Sequence, residues 1–218
     1  MTRHDRSRRG CVPALKFHSL TRFFDPVMRV AFREGPMKAR LVSQMAPWPG
    51  QTVLDLGCGT GTLAILLKQA EPRARVVGLD ADRRILVIAR AKAAAAHVDI
   101  EWDHGMAHDL PYPDGAFDAV VASLVLHHLS HEEKVQALRD VRRVLRPGGS
   151  FHAADFGVPR TASMRALARL GALLEETQDG IEGRFPSLFR DAGLDNVEET
   201  ADYATPLGTI AVWRAGIA

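Results

Sequence analysis

The sequence has few of the features that would place it in several large protein classes. Its 218 residues contain two cysteines, Cys11 and Cys58, too few for a disulfide framework, so we expect a reducing, cytoplasmic location. No apolar run approaches the roughly 18 residues that a membrane-spanning helix needs, and the N-terminus lacks the apolar core of a signal peptide. The formal net charge is only +2, which is too small to indicate nucleic-acid binding.

The basic residues concentrate near the start of the chain, at Arg3, Arg6, Arg8 and Arg9. We expect residues 1–13 to form a disordered tail, with contact to a membrane surface or to RNA as the alternatives. Apolar residues then recur every three or four positions over 14–45, which predicts short amphipathic helices broken at Pro26 and Pro36. We expect residues 14–46 to form a helical lid.

The chain is organised around the run Val53-Leu-Asp55-Leu-Gly-Cys-Gly-Thr-Gly-Thr62. It predicts a buried strand over 52–56, a glycine turn and a helix over 62–70, whose first N–H groups point at a ligand. No Gly-Lys-Ser/Thr follows, which excludes a triphosphate P-loop, and no basic residue in the turn balances a pyrophosphate. Asp55 at the mouth of the turn favours a cationic, phosphate-free nucleoside.

The rest of the chain alternates strands and helices. A strand over 75–80 ends at Asp80, where a carboxylate can accept hydrogen bonds from ribose hydroxyls, and Asp82 is the expected cap of a helix over 83–96. The later elements are predicted as strand 99–102, strand 116–124, helix 131–145, strand 150–155, helices 161–176 and 186–192, and strands 197–203 and 209–214. This order indicates a parallel sheet with an antiparallel edge.

Four ordered segments resemble the motifs of class I S-adenosylmethionine-dependent methyltransferases. They are Asp55-Leu-Gly-Cys-Gly-Thr-Gly61, Gly78-Leu-Asp80, Leu110-Pro-Tyr-Pro-Asp-Gly-Ala-Phe-Asp118 and Arg143-Val-Leu-Arg-Pro-Gly-Gly149. The branch most similar is the ubiquinone/menaquinone-biosynthesis-like group (methyltransferase type 11). The resemblance implies an α/β, Rossmann-like doubly wound fold, with a seven-stranded, mostly parallel sheet whose last strand is antiparallel. It implies one domain over 14–218, with a cofactor-binding core at 50–156 and a substrate-side part at 157–218.

The resemblance also implies S-adenosylmethionine as cofactor, S-adenosylhomocysteine as product, and a set of contact residues. Asp80 would bind the ribose and Ala81 would pack on the adenine. Where the family commonly has an aspartate at the adenine edge, this chain has Met106, which is a poor acceptor, so adenine recognition is expected to rest on the Ala107 backbone and on packing by Met106. The other expected cofactor contacts are Asp55, Gly57, Cys58, Gly59, Thr60, Gly61, Gly105, Ser123 and Leu124.

Two adjacent histidines, His127 and His128, follow the fourth predicted strand. Adjacent side chains rarely point the same way, and no carboxylate stands beside them in the sequence, so we expect no metal. The related quinone O-methyltransferases carry a Glu-x-x-Glu-His metal set here, which this chain replaces with Leu124, His127 and His128. His128 is the candidate general base, with a structural histidine as the alternative.

We expect a methyltransferase that moves a methyl group, by in-line displacement, to a small quinone-like, phenolic or other apolar acceptor. The candidate acceptor contacts in the lid are His18, Phe23 and Phe24, although these phenylalanines also fit a core role. N-methylation of a phospholipid head group and a non-catalytic, S-adenosylmethionine-binding partner subunit are the alternatives. No nucleic acid is expected as partner, peripheral membrane contact stays open, and both a monomer and a homodimer are compatible with the sequence.

Overall fold

The computed structural model describes residues 34–161, 164, 176–206 and 208–217. The predicted tail, most of the predicted lid with His18, Phe23 and Phe24, and most of the predicted helix 161–176 lie outside the described residues. The described end of the lid is one helix, α1 (Glu34–Met45). Pro36 lies in the first turn of α1, where the missing N–H of proline costs nothing, so it marks the start of a helix.

The described elements follow the alternation that the sequence predicts. In chain order after α1 they are β1 (Thr52–Leu56), α2 (Thr62–Ala70), β2 (Arg75–Asp80), α3 (Arg83–Ala95), β3 (Glu101–His104), β4 (Phe117–Ser123), a short 3₁₀ helix (Leu126–His128), α4 (His131–Val144), β5 (Leu145–Gly157), α5 (Gln178–Ile181), α6 (Phe185–Asp191), β6 (Asp195–Thr205) and β7 (Gly208–Gly216).

The seven described strands form one sheet in the order β3-β2-β1-β4-β5-β7-β6. The pairs among β1 to β5 are parallel, whereas β7 runs antiparallel to both of its neighbours, β5 and β6. The predicted fold class, a mostly parallel seven-stranded sheet with an antiparallel last strand, is confirmed. The carboxyl ends of β1, β2 and β4 therefore meet at one edge of the sheet, where such folds bind ligands.

Helices cover both faces of the sheet, and each face has its own buried core. On one face α1, α2 and α3 contribute Met37, Leu41, Leu63, Leu67 and Ala93. On the other face α4 and α6 contribute Leu138, Val141, Val144, Phe185 and Phe189. The glycine turn leads into α2, and α1 and α3 pack on the same face of the sheet as α2. In the described part of the chain, no helix has the length and apolar content that crossing a bilayer requires.

Two strand boundaries differ from the sequence prediction. β5 begins directly after α4 and includes Pro147-Gly148-Gly149, where the sequence predicts a break. Gly148 has a φ of 76°, and a Cβ at Gly149 would lie 2.8 Å from the Arg146 carbonyl oxygen, so these glycines let the chain continue beside β4 through a register shift. β3 lies two residues later than predicted, because its pairing with β2 carries it to His104.

Candidate functional site

The turn between β1 and α2 has the shape of a cradle. Gly57, Gly59 and Gly61 have φ values of 65°, 53° and 76°, in the region that only glycine adopts cheaply. A Cβ at Gly57 would overlap the Val125 side chain, and one at Gly61 would overlap the Trp102 ring. No atom of the other described residues lies within 4 Å of the Cβ position of Gly59. The turn is therefore packed on two sides and open at its middle, where a ligand can approach the backbone.

The second residue of the turn, Cys58, has a buried thiol. Its backbone N–H donates to the Leu79 carbonyl oxygen at 3.0 Å, which joins the turn to β2. Burial raises the pKa of the Cys58 thiol, and the neighbouring Asp55 and Asp80 act in the same direction. Cys58 is accordingly an unreactive, packed thiol in the unliganded site.

Asp80, at the end of β2, links the turn to the next helix. Its carboxylate accepts the Gly59 N–H and the Asp82 N–H, each at 2.9 Å. Burial raises the pKa of Asp80, while those two N–H groups act to lower it. A carboxylate offers about four lone-pair sites, so two backbone donors leave capacity for hydroxyl groups of a ligand. Asp82 caps α3 by accepting the Arg84 N–H at 2.8 Å, as predicted.

Asp55 is the most unusual polar group of the site. It is 1% exposed, and among the described residues neither carboxylate oxygen has a hydrogen-bond partner. Burial raises the pKa of Asp55 to about 7, although Lys38 of α1 and the nearby Ala64 N–H, whose geometry falls short of a hydrogen bond, act in the opposite direction. A buried carboxylate without a donor costs free energy, and a cationic ligand would supply the missing partner. This fits an ammonium-bearing ligand and disfavours a phosphate.

The loop after β3 contains the predicted adenine edge. The Gly105 N–H donates to the Asp80 carbonyl oxygen at 3.1 Å, which places the loop beside the ribose candidate. Met106 and Ala107 are half-buried, and the Asp109 N–H donates to the Met106 carbonyl oxygen at 3.3 Å. Asp109 itself is exposed. The loop therefore presents a methionine side chain where a carboxylate is the common acceptor.

The end of β4 closes the site on the other side of β1. The Ser123 hydroxyl is buried and has no hydrogen-bond partner among the described residues. Leu124 has a φ of 55°, unusual for a residue with a branched side chain, and its N–H donates to the Ala154 carbonyl oxygen at 2.8 Å. Backbone strain of this kind clusters at functional sites.

The structure brings a carboxylate beside the two histidines, although none is near them in the sequence. Asp155 of β5 is buried, and its Oδ1 lies 2.8 Å from His127 Nδ1. Its carboxylate also accepts the N–H groups of Leu126, His127 and Phe156. Burial acts to raise the pKa of Asp155, but the charge and hydrogen bond of His127 and the Phe156 N–H hold it below its usual value. Because β4 and β5 are parallel neighbours, their carboxyl ends meet although the residues are 28 apart in sequence.

His128 has a different environment from His127. The two rings lie 4.0 Å apart between centroids, and the His128 ring makes no hydrogen bond or ion pair with the residues that the structure describes. The His128 side chain is exposed, whereas that of His127 is only 8% exposed; partial desolvation by its surroundings and the neighbouring His127 lower the pKa of His128. In the described part of the chain, no group of three or more metal-ligating side chains is placed to hold an ion.

A buried lysine that sequence reasoning did not single out fixes the segment that begins at Glu176. Lys134 of α4 is 1% exposed, and its Nζ donates to Asp179 Oδ2 at 3.1 Å and to the Glu176 carbonyl oxygen at 2.6 Å. Asp179 also contacts His131 Nδ1 at 3.1 Å. The helical pattern of α4 places Lys134 among its buried residues, and that position is the signal that could have revealed it.

Comparison with known proteins identifies the family. A family model described as a methyltransferase domain matches residues 53–149. The demethylmenaquinone methyltransferase of Deinococcus radiodurans is 33% identical over 169 residues, which cover 76% of this chain and 69% of that protein. The chain belongs to the class I S-adenosylmethionine-dependent methyltransferases. A second relative, the demethylmenaquinone methyltransferase of Thermus thermophilus, is 40% identical over 131 residues; the match covers 56% of this chain and 59% of that protein's length.

Solved structures of low sequence identity share the methyltransferase fold. The YcgJ protein of Bacillus subtilis superposes with a TM-score of 0.67 at 18% identity, covering 83% of this chain and 98% of that one. The PH0226 protein of Pyrococcus horikoshii superposes with a TM-score of 0.64 at 19% identity, covering 90% and 99%. The family implies S-adenosylmethionine as cofactor, and the open glycine cradle and the unpartnered Asp55 fit that ligand.

Proposed function

We propose that this methyltransferase transfers a methyl group from S-adenosylmethionine to a small quinone-like, phenolic or other apolar acceptor. The observation that carries the proposal is the buried, unpartnered carboxylate of Asp55 beneath the open cradle at Gly59. An ammonium-bearing nucleoside satisfies that carboxylate, whereas a nucleotide phosphate would be repelled by it. The demethylmenaquinone methyltransferases among the relatives support a quinone-like acceptor.

In this proposal each part of the cofactor has its own residues. Asp55 and the turn at Gly57–Gly61 hold the methionine part, Asp80 accepts from the ribose hydroxyls, and Ala81 packs against the adenine. The adenine edge rests on Gly105, Met106 and Ala107, and the end of β4 at Ser123 and Leu124 borders the reacting group. The bound cofactor supplies an already activated sulfonium methyl group, so these residues contribute mainly by positioning.

We further propose that His127, not His128, takes the proton of a hydroxyl acceptor. Asp155 fixes the orientation of the His127 ring through a 2.8 Å contact with Nδ1, and this arrangement leaves Nε2 as the basic nitrogen. Among the described residues the His128 ring makes no such contact with a carboxylate, so nothing there orients it as Asp155 orients His127. His128 then borders the site without accepting the proton. On the acceptor side, we propose a lid over 14–46 whose residues His18, Phe23 and Phe24 contact the methyl acceptor.

Transfer of a labelled methyl group tests the proposed function. The full chain is incubated with S-adenosylmethionine labelled at the methyl carbon and a panel of quinols, phenols, amines and phosphatidylethanolamine. Label in the quinols or phenols supports the proposal, and label only in phosphatidylethanolamine would make the protein a head-group N-methyltransferase. Binding of S-adenosylhomocysteine without transfer to any acceptor would favour a non-catalytic partner subunit.

A further inference from the structure

A lysine of α3 donates hydrogen bonds to two threonine side chains of the glycine turn. Lys92 Nζ donates to Thr60 Oγ1 at 2.9 Å and to Thr62 Oγ1 at 2.7 Å, so one ammonium group spans both sides of Gly61. We propose that Lys92 is a positioning residue that holds this turn in the conformation that binds the cofactor. This inference rests on the proposed binding of S-adenosylmethionine at the turn.

The turn needs an external support because its own residues provide little. Gly59 and Gly61 flank Thr60, and glycine has the largest backbone freedom of any residue. Gly61 occupies the N-cap position of α2 and makes no side-chain hydrogen bond there, so the helix start has no cap of the usual kind. Hydrogen bonds from Lys92 to the two threonine hydroxyls replace that missing local restraint.

The electrostatics of the contact argue against a role in stabilising α2. The positive end of a helix dipole lies at its N-terminus, and Lys92 places an ammonium group beside the first residue of α2, Thr62. A residue serving only the stability of α2 would carry the opposite charge. Lys92 does suit the C-terminus of its own helix, since it lies in the last turn of α3. The experiments below therefore separate the stabilisation of α3 by this charge from the hydrogen bonds that Lys92 makes to the turn.

The two side-chain restraints on the turn, from Asp80 and Lys92, come from the same β2–α3 unit. Asp80, the last residue of β2, accepts the Gly59 N–H at 2.9 Å, and Lys92 reaches the turn from α3. The turn is thus held in a fixed position relative to Asp80, the proposed ribose contact. Loss of Lys92 should loosen the cofactor side of the site and leave the acceptor side unchanged.

Calorimetric titration with S-adenosylhomocysteine tests this role in the full chain. We expect Lys92→Met to raise the Kd about 5- to 30-fold, as loss of charge-assisted hydrogen bonds would. The KM for S-adenosylmethionine should rise by a similar factor, while kcat at saturation and the KM for the acceptor stay within about twofold of wild type. A merely structural defect would lower kcat as well.

Lys68 supplies the matched control. It is half-buried like Lys92, lies in the last turn of its helix α2 and donates to the Ala74 carbonyl oxygen at 2.6 Å instead of to the turn. Lys68→Met should leave the Kd within twofold of wild type. An equal loss of affinity in Lys68→Met would overturn the proposal, because helix-end charge would then explain both effects.

A double-mutant cycle locates the effect at the threonines. Replacing Thr60 and Thr62 together by valine should weaken binding, and adding Lys92→Met to that variant should cost no further affinity. A full additional loss would show that Lys92 acts elsewhere, and an unchanged Kd in Lys92→Met alone would contradict the proposal outright.

Hydrogen exchange separates this inference from the proposed function. Failure of the wild type to bind S-adenosylhomocysteine would contradict the proposed function. The restraint that Lys92 places on the turn can still be measured without ligand. We expect the amides of residues 57–62 to exchange at least several-fold faster in Lys92→Met than in wild type and Lys68→Met. Unchanged exchange there would refute the role of Lys92.

Discussion

A carboxylate that is buried without a hydrogen-bond donor, as Asp55 is, destabilises a protein unless a ligand supplies the donor. The sequence placed Asp55 correctly at the mouth of the turn, because an acid directly before the glycines is a local pattern. It did not show that both oxygens lack partners, since that depends on how α1 and α2 pack over β1. Burial, and not sequence position, raises the pKa of Asp55 to about 7.

The raised pKa of Asp55 predicts a pH-dependent cofactor affinity. Below pH 7 the unliganded protein binds a proton at Asp55, and an ammonium-bearing ligand must displace it. The Kd for S-adenosylhomocysteine should therefore rise up to about tenfold for each pH unit below 7 and level off above it. Calorimetry at pH 6 and pH 8 measures the ratio.

Asp55→Asn should bind weakly at both pH values and lose this dependence. It should also be more stable than wild type without ligand at pH 8, because the unfolded chain releases the Asp55 proton near pH 4 and the folded one near pH 7, so stability from this group falls as pH rises between them. Asp82→Asn keeps the helix cap and should retain the wild-type dependence. A wild-type Kd that is flat between pH 6 and pH 8 would contradict the assignment.

The two histidines should respond differently to the same substitution. With a phenolic acceptor, His127→Asn should lower kcat by about a hundredfold or more and remove the acidic limb of its pH profile, because the base oriented by Asp155 is lost. His128→Asn should keep both the shape of the profile and kcat within a few-fold. The opposite pattern would restore His128 as the base.

At the scale of the elements, local signals were sufficient where one strand and its turn decide the outcome. The strand over 52–56, the cap at Asp82 and the helix over 131–145 were predictable because each depends on neighbouring residues. The start of β5 was not, because Pro147-Gly148-Gly149 reads as a break unless pairing with β4 is known. The contact of Asp155 with His127 could not be predicted for the same reason, because it joins the ends of two strands that only the sheet brings together.

The glycine turn predicts opposite behaviour for two similar substitutions. A Cβ at Gly57 overlaps Val125, so Gly57→Ala should lower the free energy of unfolding by about 2–4 kcal/mol through overpacking and a strained φ. A Cβ at Gly59 meets open space, so Gly59→Ala should cost only about 1 kcal/mol, the strain of its positive φ.

Gly59→Ala should affect ligand binding much more strongly than it affects stability. Its Cβ would occupy the open middle of the cradle, so Gly59→Ala should abolish measurable S-adenosylhomocysteine binding while the protein remains folded. Urea unfolding and calorimetry on the two variants provide the comparison. Tight binding by Gly59→Ala would show that the ligand does not approach this part of the turn.

At the scale of the whole molecule, the site is an edge of the sheet and not a separate module. Its residues come from the ends of β1, β2, β3, β4 and β5, so a bound ligand connects strands that otherwise touch only through the sheet. The doubly wound topology follows from the strand–helix alternation, and it fixes which strand ends meet. In the proposed function, the choice of acceptor is assigned to the predicted lid, where local patterns carry little information.

Binding at that shared edge should therefore stabilise the entire fold. At a ligand concentration of about 100 times Kd, linkage adds roughly 2.7 kcal/mol to the free energy of unfolding, which for a chain of this length raises the Tm by about 5–11 °C. S-adenosylhomocysteine should produce this shift in wild type and little of it in Asp80→Ala, which loses both the ribose acceptor and the restraint on Gly59.

Adenosine alone should give a smaller shift, because it leaves Asp55 without a partner. An equal shift with adenosine would mean that Asp55 does not contact the ligand, and an undiminished shift in Asp80→Ala would remove Asp80 from the binding site.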